Sequence, residues 1–128
     1  MFTLGQIDDF HARLGRAETL SEYVRALNAI GVEKYDSYLI DGHSEYFGKH
    51  GYKVTSPPAH EALSVAEKSD SESFLRHLKL HEQGETTYVE MSVGLAESGI
   101  ERWTVDTSEM TMTFYDQVGN ELLVERIE

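Results

Sequence analysis

Residues 100–127, IERWTVDTSEMTMTFYDQVGNELLVERI, decide how the chain is read. Trp103 and Val105 alternate with Arg102 and Thr104, and Met110, Met112 and Phe114 alternate with Thr111, Thr113 and Tyr115. A two-residue period puts successive side chains on opposite faces of a strand. Val118-Gly119-Asn120 then turns the chain into a last extended run, Leu122 to Ile127. The stretch predicts a three-stranded antiparallel meander with Trp103 largely buried on a central strand.

Upstream of the meander the period is helical. Asp70 is placed to cap a helix with Phe74, Leu75 and Leu78 facing inward and Gly84 after its end. Thr86 or Thr87 opens another, with Tyr88, Met91, Ser92, Leu95 and Ala96 as a stripe before Gly99. Before these, Val32 to Ile40 is rich in β-branched and aromatic residues. Asp41-Gly42 is a turn dipeptide, and His43 to Phe47 resumes the extended pattern, which predicts a β-hairpin ending before Gly48. Tyr52 to Thr55 reads as a short strand. Pro57-Pro58 breaks the chain, and Leu63 and Val65 alternate with Ser64 and Ala66 in a further candidate strand.

The first thirty residues read as a helical hairpin. Thr3 caps a helix carrying Leu4, Ile7, Phe10 and Leu14 and stopping near Gly15. Thr19 and Glu22 have the spacing of a capping box, and Leu20, Tyr23, Val24, Leu27 and Ile30 line the second helix up to Gly31. Helices and strands come in blocks, so the expected class is α+β: a helical hairpin, a β-hairpin, two further helices and the meander, in one domain.

Composition narrows the function classes. The chain has 128 residues, no cysteine, and 11 Lys+Arg against 23 Asp+Glu, a formal net charge of −12. Without cysteine there is no disulfide, thiolate zinc site or cysteine nucleophile, and the cytoplasm is the expected compartment. The absence of a basic cluster argues against nucleic acid and anionic membranes as partners. No apolar run approaches the ~20 residues of a membrane span. Asp8 and Asp9 interrupt the N-terminal segment, which does not read as a signal peptide.

Two polar constellations could carry chemistry. Asp41, Gly42 and His43, with Ser44, Glu45 and Tyr46, form a turn whose side chains exceed what a tight hairpin needs. His77 and His81 lie four apart on a helical face beside Glu82. A hydrolytic zinc helix carries Glu directly after its first His; here that position is Leu78, so neither metal nor cofactor is expected. Gly48, Lys49 and Gly51 lack the spacing of a phosphate loop. Seven aromatics, Tyr35, Tyr38, Tyr46, Tyr52, Tyr88, Tyr115 and Trp103, suit a core edge or the walls of a pocket.

The segments Asp41-Gly42-His43, Tyr46-Phe47-Gly48, His81, Gly84, Gly99 to Trp103, Val105-Asp106, Met110-Thr111, Tyr115-Asp116 and Gly119-Asn120-Glu121 carry a resemblance. The chain resembles the small bacterial YbcV-like family, a group of uncharacterised proteins often labelled "phage envelope protein". The resemblance implies no catalytic residue, and its label implies a virion structural protein as one class. Fold kinship by itself transmits no activity. The residues favour a non-enzymatic binding or accessory domain, acting on a protein partner or on a small ligand held between sheet and helices. A ligand site is expected where the Asp41–His43 turn approaches the third helix, using Asp41, His43, Tyr46 and His81. The rival is a small enzyme using His43, His77 and His81 as acid–base or metal groups.

Overall fold

A computed structural model describes residues 1–14 and 19–127. The described chain forms α1 (Leu4–Leu14), α2 (Leu20–Ala29), β1 (Lys34–Tyr38), β2 (Ser44–Phe47), β3 (Lys53–Thr55), α3 (Ser71–Glu82), α4 (Tyr88–Glu97), β4 (Ile100–Asp106), β5 (Thr111–Asp116) and β6 (Glu121–Arg126). The predicted stop of the first helix at Gly15 lies outside the described residues.

The meander is not a sheet of its own. β4 pairs antiparallel with β1, Tyr35 opposite Val105 and Ser37 opposite Trp103, which joins the meander to the hairpin and β3. One six-stranded antiparallel sheet results, in the order β3-β2-β1-β4-β5-β6. Alternation gives it two unlike faces. Val54, Tyr46, Tyr35, Val105, Met112 and Glu125 form one row across the inner face, in register through their cross-strand partners. Ser44, Ser37, Trp103, Phe114 and Leu123 form a second row on the same face.

Both helical hairpins cover this face. α1 and α2 lay Ile7, Tyr23, Val24 and Leu27 onto Tyr35, Tyr46 and Val105. α3 and α4 lay Phe74, Leu78, Met91 and Leu95 onto Leu39, Ile100 and Phe114. The other face keeps its polar side chains. Lys34 sits over the Phe47 ring at 4.9 Å and Arg102 over the Tyr115 ring at 4.3 Å, as cation–π pairs. Thr104 Oγ1 donates to Asp36 Oδ1 at 2.5 Å.

Several local expectations change. The hairpin turn is wider than a dipeptide: β1 ends at Tyr38, whose N–H meets the His43 carbonyl at 3.0 Å, and Gly42 N–H bonds back to the Tyr38 carbonyl. Leu39 leaves the ladder because it is buried in the second cluster and its N–H bonds the Glu101 carbonyl, at a bulge in β4. Leu63 and Val65 form no strand. Their stretch is spent on other contacts, Leu63 N–H to Ile40 O at 2.6 Å and Gln117 Nε2 to Val65 O at 2.7 Å, while both side chains pack on the second cluster. Leu75 is 49% exposed, since Phe74 and Leu78 alone complete the inward stripe of α3.

The expected box at Thr19 does not form: its hydroxyl donates to the Leu14 carbonyl at 2.6 Å and makes no cap bond to α2. A complete capping box closes α4 instead, between Thr87 and Glu90. At Gly94 the two later helices approach so closely that a Cβ would lie 2.5 Å from the His77 ring. No helix among the described residues is long and apolar enough to cross a membrane.

Candidate functional site

The two helical hairpins do not meet over the middle of the sheet. Between them lies a cavity of about 970 Å³. Its floor is the inner face itself, with Tyr35, Ser37, Ser44, Tyr46, Trp103, Met112, Phe114 and Glu125. One wall is Asp8, His11, Leu20 and Tyr23 from the first helical hairpin, and the other is Leu78, His81, Glu82, Thr86, Tyr88 and Met91 from the second. Ser56, Pro57, Pro58 and Ala59 close one side. The chain after β3 is held there by Ser56 N–H to Ser44 O at 2.9 Å and by Ala59 N–H to Asp41 O at 2.8 Å.

The floor is apolar toward β5 and hydroxyl-rich toward β1 and β2. Ser37 and Ser44 share a hydrogen bond of 2.8 Å. The rings of Tyr23, Tyr35 and Tyr46 pack in succession at 6.3 and 5.3 Å between centroids. Burial, with the neighbouring phenols of the group, pushes Tyr23 and Tyr35 far above the ordinary tyrosine range. Burial also raises Tyr46 and Tyr88. All four therefore remain protonated near neutral pH and can donate hydrogen bonds into the cavity.

Trp103 stands on a central strand, between β1 and β5, and is largely buried, with a minor part of its surface left accessible. It packs against both apolar clusters and spans the gap between them, so part of its surface is the cavity floor.

Of the four expected ligand residues, Tyr46 and His81 line the cavity, whereas Asp41 and His43 do not. The His43 imidazole, stacked on Tyr38 with 4.6 Å between centroids and 7° between planes, donates Nδ1–H to Asp41 Oδ1 at 2.5 Å. Burial works against the Asp41 carboxylate, yet hydrogen bonds from the His43 backbone and ring hold its pKa below the ordinary value. Asp41 and His43 thus serve the turn. Gly42, between them, does reach the cavity. Its φ is +78°, and a Cβ there would lie 2.8 Å from the His60 ring.

The three histidines of the enzyme reading do not line one cavity. His77 packs against Gly94, and His81 alone reaches the cavity, donating Nδ1–H to the Thr86 carbonyl at 3.2 Å. Among the described residues no group of three or more His, Asp or Glu side chains could hold a metal ion.

Sequence reasoning missed Glu125. Leu123, Glu125 and Ile127 share one phase of β6, so the carboxylate stands where the alternation calls for an apolar residue. That interruption was the available signal. Burial, reinforced by nearby Glu82, raises its pKa above the ordinary carboxylate value. The buried nitrogen His60 Nε2 was also missed: Nδ1 donates to the Glu61 carbonyl, and Nε2 has no partner among the described residues.

A sequence profile described as "Protein of unknown function (DUF1398)" matches residues 8–126. No curated protein sequence matches the chain. The chain belongs to the DUF1398 family, and the matched span takes in the two helical hairpins apart from the first turn of α1, the whole sheet and nearly all of the cavity lining.

Proposed function

We propose that this DUF1398 chain is a non-enzymatic binding domain for a small, largely apolar organic molecule held between the sheet and its two helical hairpins. The observation that carries the reading is the floor of the cavity. Five large side chains, Tyr35, Tyr46, Trp103, Met112 and Phe114, line a cavity of about 970 Å³, and of these Trp103 and Met112 are the ones only partly buried. Apolar and aromatic walls with a few convergent polar groups are the usual composition of a ligand site. Here Ser37, Ser44 and the tyrosine hydroxyls supply the polar groups. A core built for stability alone would close this volume, because unfilled apolar space forfeits packing energy.

A catalytic role has less support, since neither Asp41 nor His43 lines the cavity and, among the described residues, no second acid–base group is bonded to His81. The resemblance to the YbcV-like group extends the proposal to a phage-derived accessory protein and adds no residue role.

The reading is tested by heating the protein with a broad panel of small organic compounds and mapping each stabilising compound by NMR. Any ligand that binds only the native state raises the melting temperature. The expected result is stabilisation by amphipathic aromatic compounds, with shifts centred on Trp103, Tyr46 and Met112, and loss of binding in Ser37→Phe, which fills the floor. Stabilising compounds that bind Ser37→Phe equally well would defeat the proposal.

A further inference from the structure

We infer that the cavity selects a ligand carrying a protonated amine, with Glu125 as its counter-ion; this rests on the binding reading above and names its ligand class. Glu125 occupies the inner face of β6 opposite Met112, and Leu123 and Ile127 flank it on the same face. A carboxylate among apolar neighbours is costly unless it is paired. Among the described residues no Lys, Arg or His forms an ion pair with it. The charge that acts with burial to raise its pKa is another carboxylate, Glu82 at the end of α3.

The remaining charges around the cavity have the same bias. Asp8 lies on the opposite wall, and Arg126, the one Lys or Arg among the described lining residues, alternates toward the open face of the sheet opposite Thr111. Of the two lining imidazoles, His81 bonds the Thr86 carbonyl through Nδ1 and the His11 ring packs edge-on against Tyr23 at 5.7 Å between centroids. Trp103 and the tyrosines add ring faces, which attract cations. An amine with an aromatic or aliphatic body meets both features: the body covers Trp103 and Met112, and the ammonium reaches Glu125. A carboxylate ligand of the same shape would meet Glu125, Glu82 and Asp8, with Arg126 the one Lys or Arg among the described lining residues to offset them.

Three isosteric probes separate the charge from the body: phenethylamine, 2-phenylethanol and 3-phenylpropionate, titrated at neutral pH and followed by NMR at Trp103 and Met112. The expected order is amine over alcohol over carboxylate, with the amine tighter than the alcohol by about tenfold, the scale of one charge-assisted contact. Glu125→Gln should abolish the difference between amine and alcohol. Glu109→Gln, an exposed turn residue remote from the lining, changes the net charge equally and should preserve it. If the alcohol binds wild type as well as the amine does, the cation inference falls and the binding reading stands. If Glu125→Gln retains the preference, the inference falls for this residue. If none of the three perturbs the cavity resonances, both fall.

Discussion

The two helical hairpins cover the same sheet face with different chemistry. Beneath α3 and α4 the core is hydrocarbon: Phe74, Leu95 and Ile100 are at most 1% exposed, and Phe74 meets the Phe114 ring at 5.1 Å. Beneath α1 and α2 the core mixes aliphatic Ile7, Val24 and Leu27 with Tyr23, Tyr35 and Tyr46. A buried hydroxyl must find a partner or face a solvated space. Tyr23, Tyr35 and Tyr46 are buried and line the cavity, so their hydroxyls make this half of the core the more polar of the two. The dry half of the core lies under α3 and α4 and the hydroxyl-bearing half under α1 and α2.

The largest expected effect is in the dry half. Phe74 does not line the cavity, and Phe74→Ala should cost about 3–5 kcal/mol in urea unfolding, as buried aromatic truncations do. A cost comparable to that of an exposed residue would remove the contrast between the hairpins. Next comes Gly99, which ends the C-terminal hairpin with φ +89°. A Cβ there would lie 2.7 Å from both the Lys68 carbonyl oxygen and Ser69 Cα. Since backbone atoms cannot swing aside, Gly99→Ala should lose about 1–3 kcal/mol, read as a lower urea midpoint with an unchanged slope.

The tyrosine side should respond differently. Tyr46→Phe keeps the ring and removes one hydroxyl, so its stability should change by no more than about 1.5 kcal/mol, while the cavity loses a donor. The contrast would be broken by a loss as large as that of Phe74→Ala. The smallest effect concerns pH. Because the folded state raises the Glu125 pKa, its stabilising contribution is complete below the ordinary value of 4.5 and is lost as pH rises through the raised value. Glu125→Gln should therefore melt higher than wild type near neutral pH, with the difference fading toward the acid side. Equal melting temperatures at neutral pH would show that the carboxylate is well solvated.

Much of this architecture was legible in the sequence, and the parts that were not share a cause. The helices at 4–14, 20–29, 71–82 and 88–97 and the strands of the meander follow their own hydrophobic periods. Periodicity is local, however, and the joining of β1 to β4 is a pairing between distant segments that no period records. Asp41-Gly42 marked a turn, but burial of Leu39 in the far cluster widened it. Thr19 and Glu22 had capping-box spacing, yet the Leu14 carbonyl took the hydroxyl.

The site was legible to the same degree. Tyr46 and His81 were singled out and line the cavity, whereas Asp41 and His43 were singled out for polarity that their turn consumes. Trp103 was legible as a largely buried residue, while strand alternation, which marks a face without revealing what covers it, did not show that a cavity borders the indole. Glu125 escaped because its meaning depends on the phase of β6, which a register irregularity in the β5–β6 pairing disturbs at Phe114/Tyr115.

The central claim is that the two hairpins leave the middle of the sheet open, and the chain's only tryptophan stands at that place. The direct measurement is acrylamide quenching of Trp103 fluorescence in the native protein, with and without saturating phenethylamine. The account predicts native-state quenching well above that of a buried indole, suppressed when the amine occupies the cavity. A blue-shifted emission that acrylamide cannot reach, unchanged by any cavity probe, would mean that the hairpins close over the sheet, and would contradict the account.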